Sequence, residues 1–290
     1  MKKKIGGFLK ALVFILIAGV AQGTVGGVFG FAIAFLLGFN GEIDVISDPE
    51  AMNTYLLEAT SKHMNTVLLI AGFITILAVW LLYNGWGGKI KKDFGMNIVN
   101  KKNILVCIVV GLGGWLINTG ALSLMMISGV LGDAFEQFSE LSLQIQGGSL
   151  VLDIIVVGMI TPFVEEFLFR GAIQKTLSKS MSIKAAIIIQ AILFGIYHGN
   201  LIQGIYTIFL GLVFGYVAYK CKSIWPAVVV HAVNNIIALT ADLYFPTFLD
   251  NIIGYIAIIT IGILIMVVTF KSINKNNPID VNEKEEILLN

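Results

Sequence analysis

Leu150–Arg170, LVLDIIVVGMITPFVEEFLFR, reads as a membrane-crossing helix with two adjacent carboxylates and a guanidinium near its end. A helix needs roughly 20 apolar residues to cross the hydrocarbon core of a bilayer. Each ionisable group held at that depth costs roughly 2.5–3.5 kcal/mol on insertion scales, and by default such groups mark a functional site. Glu165, Glu166 and Arg170 are the groups in question. Arg170 is also the sole arginine, every other basic residue of the chain being lysine.

The rest of the chain agrees with a membrane setting. Of 290 residues, 57% are hydrophobic and 13% charged, and the mean hydropathy is +0.88. A soluble domain carries about 25% charged residues. An outer-membrane barrel would show short alternating segments, and none occur. The net charge of +1 gives no basic surface for nucleic acid. Cys107 and Cys221 lie in or beside separate apolar segments and read as packing residues. Met1-Lys-Lys-Lys before an apolar run imitates a signal peptide, but the run continues to about Phe39, too long for a signal sequence, and is read as an uncleaved first span.

The pattern predicts an all-α, polytopic membrane helix bundle with about eight transmembrane helices, over residues 9–38, 66–84, 103–128, 150–170, 184–198, 201–219, 224–241 and 252–270. Lysine placement orients them. Lys2, Lys3, Lys4 and Lys10 precede the first span, and Lys89, Lys91, Lys92, Lys101 and Lys102 fill the second loop. Lys175, Lys179 and Lys184 follow the fourth span, Lys220 and Lys222 the sixth, and Lys271, Lys275 and Lys284 the eighth. All fall on one side; the other has only Lys62 and carries Glu42, Asp44, Asp48, Glu50, Glu58, Asp133, Glu136, Glu140, Asp242 and Asp250. The expectation is a multi-pass cell-membrane protein with both termini cytoplasmic.

Outer loops are expected over residues 40–65 and 129–149, and a disordered polar tail after Lys271. Glycines four apart (Gly23 and Gly27, Gly26 and Gly30, Gly195 and Gly199, Gly211 and Gly215) suit close helix packing. The two legs of residues 183–219 are short for full crossings, so this hairpin is expected to tilt or to turn below the outer surface.

Three segments carry polar groups into apolar helices. In the first, Glu166 and Arg170 stand four apart on one helical face, acid before base, where a forked guanidinium can hold a carboxylate. Glu165 points about 100° away and is left for other work. Pro162, just upstream, is expected to free the carbonyl of Gly158 and to kink the span. The second is Phe194-Gly-Ile-Tyr-His198, and the third is His231-Ala-Val-Asn-Asn235, whose imidazole and terminal amide share a face. From the ends of the expected spans, Glu165 lies ~8 Å, His231 ~12 Å, Asn235 ~18 Å and His198 ~22 Å inside the cytoplasmic surface. All four fit one cavity. His63, in an outer loop, is given no role.

The ordered triple EExxxR, FxxxH and HxxxN resembles the CPBP intramembrane proteases. That family includes the eukaryotic type II CAAX prenyl endopeptidase and bacterial Abi-type proteins associated with bacteriocin processing and immunity. The resemblance covers about residues 150–240 and includes the phrase Ser223-Ile-Trp-Pro-Ala-Val-Val-Val-His231. It divides the chain into N-terminal helices with two outer loops (1–149), a catalytic core (150–241), and a last helix with a polar tail (242–290).

The resemblance implies hydrolysis of peptide bonds within the membrane. Glu165 would activate water, His198 would assist, His231 and Asn235 would stabilise the oxyanion, and Glu166 and Arg170 would hold the first glutamate in place. Family members have often been called metalloproteases, so Glu165, His198 and His231 are also a zinc-ligand set to test. No HExxH helix occurs, and metal-free glutamate catalysis, with no cofactor, is the favoured expectation. Expected partners are membrane lipid and a peptide or membrane-anchored protein substrate, without nucleic acid. Other readings are a non-catalytic protein of the same fold, such as a bacteriocin-immunity or assembly factor, and a transporter, for which inverted repeats are wanting.

Overall fold

A computed structural model describes residues 2–39, 48–96, 99–145, 149–243 and 249–277. The tail expected to be disordered after Lys271 is helical over residues 272–276, while Glu42, Asp44, Lys284 and the chain beyond residue 277 lie outside the described residues. The elements are helical, with no strand among those residues. They are α1 (Lys2–Phe39), α2 (Pro49–Lys62), α3 (Met64–Gly85), the single turn α4 (Ile90–Asp93), α5 (Lys101–Ile127) and α6 (Gly132–Ile145). After these, α7 runs over residues 150–178. It is followed by α8 (Ile183–Tyr197), α9 (Leu201–Lys220), α10 (Trp225–Thr240) and α11 (Ile252–Asn276).

Each of the eight expected spans falls on one of α1, α3, α5, α7, α8, α9, α10 and α11. Five of these, α1, α3, α5, α9 and α11, are long and apolar enough to cross a bilayer. By contrast, α8 and α10 have 15 and 16 residues, or ~22–24 Å, short of the ~30 Å core. The 183–219 hairpin accordingly turns after a short first leg, at His198–Asn200.

Polar residues start these helices. Asp48 accepts from Glu50 N and Ala51 N ahead of α2. Asn100, Ser182, Asn200 and Asn251 do the same for α5, α8, α9 and α11. Three expectations change. The stretches expected as outer loops hold α2 and α6. In α6 the apolar positions Phe135, Phe138 and Leu141 recur at helical spacing, but both helices are too short and polar to register as spans. The fourth span, expected to end at Arg170, continues to Ser178. Residues 171–174 are buried against the protein, so Arg170 sits in the interior and not at a membrane edge. Glu165 is thus ~20 Å from that end of its helix, not ~8 Å.

Contacts define two ends of the bundle. At one end, Lys179 Nζ lies 3.0 Å from Asp93 Oδ2, Gly7 of α1 abuts Ser180, and Gly95 abuts Lys222. There too, Asn103 Nδ2 donates to Asn277 Oδ1 at 3.2 Å. The start of α1, the 86–100 loop, the turns after α7 and α9, and the end of α11 therefore meet at the lysine-rich end. At the opposite end, Asn65 Nδ2 donates to Asp153 Oδ1 at 2.8 Å, and Phe138 of α6 lies 6.0 Å from Tyr206 of α9 between ring centres.

Of the spaced glycines, Gly195 and Gly211 are packed. A Cβ on Gly195 would stand 2.5 Å from Ile208 Cγ1, and one on Gly211 2.9 Å from Ala191 Cα. Gly23, Gly26, Gly27 and Gly30 of α1 have no such neighbour within 4 Å.

Candidate active site

The site begins with a proline in α7. The helix is α-helical at Leu150–Ile155, widens to a π turn at Val156–Ile160, returns to α at Thr161–Glu166 and widens again at Phe167–Ile173. In the first wide turn Thr161 N–H reaches back five residues to Val156 O. In that register the carbonyl deprived of a partner by Pro162 is Val157, not the Gly158 expected of an ordinary α turn. Asn235 of α10 fills the gap, its Nδ2 donating to Val157 O at 3.1 Å. Such π turns occur most often at functional sites. A Cβ on Gly158 would stand 2.8 Å from Ile236 Cγ1, so its lack of a side chain lets α10 approach here.

One turn on, Glu166 and Arg170 are both fully buried and bonded, Nη1 to Oε1, at 2.8 Å. The fork does not close on the carboxylate. Its second arm, Nη2, donates to Gly211 O at 3.3 Å. The guanidinium lies over Phe194, 4.5 Å from its ring centre, and is flanked by Phe214 at 5.1 Å. A delocalised, weakly hydrated cation suits this setting better than a lysine ammonium.

The same polar row continues to Gln174, four residues beyond Arg170. Gln174 Nε2 donates to Gly215 O at 3.1 Å, and Gln190 Nε2 to Gly211 O at 2.8 Å. The Gly211/Gly215 pair thus serves as a carbonyl ladder as well as a packing site. A Cβ on Gly215 would stand 2.5 Å from Gln190 Nε2. Glu166, Arg170, Gln174 and Gln190 are each at most 1% exposed. They form a solid floor under the site.

Above this floor, Glu166 Oε1 also meets His231 Nδ1 at 3.0 Å. An ionised carboxylate only accepts, so Nδ1 carries a proton and donates it. The other nitrogen of His231, Nε2, faces Glu165 Oε2 at 3.7 Å. The imidazole is stacked on Phe214 at 4.7 Å. His198 caps the end of α8, with Nδ1 2.7 Å from Phe194 O. A carbonyl likewise fixes the proton on Nδ1 and leaves the Nε2 lone pair available. Gly199 follows with φ +66, a left-handed backbone that a glycine adopts without strain, and turns the chain into α9.

Glu165, His198, His231 and Asn235 all line one cavity of about 360 Å³. The structure therefore brings the four sequence-derived site residues together, and sets Glu166 and Arg170 behind them. The remaining wall is mostly apolar, from Leu68, Trp115, Leu122, Phe138, Leu141 and Leu210. Sequence reasoning missed Asn234. It is 7% exposed and lines the cavity, donates Nδ2 to Asn235 Oδ1 at 3.3 Å and leaves its own Oδ1 without a protein partner. The asparagine doublet was visible in the sequence, and Asn234, three residues from His231, also falls on its helical face; only the residue four on was singled out. Gln174 continues the 166/170 spacing and could have been found by extending it. Asp153, 3% exposed, was hidden by its apolar neighbours, and its partner Asn65 of α3 fell in the stretch expected as an outer loop.

Among the described residues no three His, Cys, Asp or Glu side chains group so as to hold a metal ion. Glu165 and His231 approach one another, but His231 turns its other nitrogen to Glu166 and no third ligand completes the set.

No curated protein and no solved structure matches the chain. Residues 147–237, which contain all four cavity-lining site residues together with Glu166 and Arg170, match the model of the family described as Rce1-like, type II CAAX prenyl endopeptidase Rce1-like, a match consistent with a CPBP/CAAX protease family.

Proposed function

We propose that the protein is an intramembrane endopeptidase that cleaves a membrane-associated peptide or membrane-anchored protein with a water activated by Glu165, without a metal. The observation that carries this reading is the convergence of Glu165, His198, His231 and Asn235 on one cavity inside the family-matched segment. A water there would find two acceptors, the Glu165 carboxylate and the Nε2 lone pair of His198. Two acceptors for its two protons orient its remaining lone pair toward a scissile carbonyl.

Glu165 takes one proton as the oxygen attacks, and a tetrahedral oxyanion forms. The second N–H of the Asn235 amide and the His231 imidazole, set between Glu165 and Glu166, then stabilise that oxyanion. Preorganised donors of this kind are worth about 2.7–4 kcal/mol each in mutagenesis of other enzymes. On collapse, the proton held by Glu165 passes to the leaving nitrogen and the remaining hydroxyl proton follows through His198, so the products are a carboxylate and an ammonium. Glu166 and Arg170 do not touch substrate; they hold His231 and, through the shared helix, Glu165.

The test compares membrane peptidomes of cells expressing wild type and Glu165→Gln. Expected is the loss of a defined set of cleavage products with unchanged protein level. Undiminished cleavage by the variant would overturn the mechanism.

A further inference from the structure

Resting on the protease reading, the geometry points to a cavity loaded from the lysine-poor face: we propose that the substrate is a polypeptide whose scissile bond enters from the extracytoplasmic half of the membrane, along a segment without charged side chains. The cavity is closed at one end and open at the other. In α7 the burial changes at the site itself, Thr161 and Glu165 being half-buried while residues 166–174 are all buried. Along α10, Pro226–Val228, Val230 and His231 are buried, whereas Ala238, which also lines the cavity, is exposed. In α9 the cavity residues Gln203 and Tyr206 are half-buried, and residues 213–215 beyond them are buried. All three helices thus seal toward their lysine-rich ends.

The lining follows the same direction. It reaches Leu68 near the start of α3 and Leu122 near the end of α5, and includes Phe138 and Leu141 of α6, all toward the lysine-poor end. Among the described residues, no lining residue comes from residues 86–96 or 99–100, the turns after α7 and α9, or the end of α11. The positive-inside bias makes the lysine-rich end cytoplasmic. A cytoplasmic segment would therefore have to pass through Glu166, Arg170, Gln174 and Gln190, whereas an extracytoplasmic one meets an open mouth.

The lining also says what can enter. Among the described residues, Glu165 is its only Asp, Glu, Lys or Arg. The rest of its polar lining is amide, hydroxyl and imidazole, including Gln203, Asn235, Thr161, Thr207 and Tyr206, groups that suit the N–H and C=O of an extended peptide.

The test uses the full-length chain in cells, with Cys107→Ser and Cys221→Ser as background. Ala238→Cys at the mouth and Lys271→Cys near the lysine-rich end of α11 are each exposed to a charged, membrane-impermeant maleimide. Intact cells are expected to label A238C at least ten-fold faster than K271C, and inverted vesicles to reverse the order. The proposal is overturned if A238C labels from the same side as K271C, or from neither side while reacting in detergent. Glu165→Gln should leave the labelling unchanged. This readout needs no catalysis, so identical peptidomes for wild type and Glu165→Gln would defeat the protease reading and not the facing. Products whose cleaved bonds map to cytoplasmic segments would defeat the facing and leave the protease reading intact.

Discussion

Arg170→Met is the most informative perturbation of the floor. The substitution keeps most of the side-chain volume and removes the cation, leaving Glu166 buried at 0% exposure without its 2.8 Å partner. Breaking a buried pair from one side costs about 3–5 kcal/mol, because the surviving charge is left uncompensated. Two features argue for the lower end of that range. Glu166 keeps the bond from His231 at 3.0 Å. Gly211 O, which loses Nη2, keeps Gln190 Nε2 at 2.8 Å, so no carbonyl is orphaned. A loss of about 3 kcal/mol is a factor of roughly 100 in the folded-to-unfolded ratio. If the charge is the cause, Glu166→Gln in the same background should recover a large part of it, with a coupling of about 2 kcal/mol or more in the double-mutant cycle. Thermal and denaturant unfolding of the detergent-purified protein would read all four corners. Arg170→Met within 1 kcal/mol of wild type, or a strictly additive cycle, would refute the assignment of Arg170 as the counter-charge of Glu166.

Other outcomes follow from single contacts. Asn235→Ala removes a candidate oxyanion donor, and cleavage should fall about 10²–10³-fold; an assay showing less than a three-fold change would exclude it from that role. Gly211→Ala places a methyl against the Ala191 backbone and should cost about 1–3 kcal/mol, while Gly27→Ala, with nothing within 4 Å, should leave the unfolding midpoint unchanged or slightly raised. At the lysine-rich end, burial raises the Asp93 carboxyl, but bonds from the Lys179 ammonium, Lys89 N–H and Tyr83 hydroxyl outweigh it and hold the group below its usual range. A depressed folded-state value gives stability that is present above the unfolded value and lost as pH falls through the folded one. Lys179 is 57% exposed, so screening limits the effect to about 0.2–1 kcal/mol. Asp93→Asn should flatten the acid limb of the unfolding midpoint against pH by that amount and leave the neutral limb lower than wild type.

Much of the site could be read from spacing within a helix. Glu166 and Arg170 are four apart, and so are His231 and Asn235, and that local geometry survives folding. What could not be read was which partner each group would take across helices. The second arm of Arg170 goes to a glycine carbonyl 41 residues away, which no spacing rule within α7 announces. His231 was assigned to the oxyanion, yet its Nδ1 is spent on Glu166, a contact across 65 residues. The proline was legible, but its consequence fell one residue earlier because the turn around it is wide. As for the fold, the eight apolar runs were strong signals, being long and periodic. Helices α2 and α6 were lost because a search tuned to hydrocarbon thickness treats a short amphipathic helix as a loop. The end of α7 was misplaced because an arginine suggests water, and here aromatic rings and a carboxylate replace it.

The buried floor has a consequence beyond holding His231. A hydrolase embedded in a bilayer must admit water, and a water-filled path through the whole protein would short-circuit the membrane potential. Among the described residues the cavity ends blindly toward the lysine-rich end. Between the cavity and the lysine-rich end stand a neutralised ion pair, two glutamines committed to backbone carbonyls, and the rings of Phe169, Phe194 and Phe214. Among the described residues these groups close the route beyond Glu165, so on the proposed reading hydrolysis would proceed at membrane depth in an insulator that stays intact.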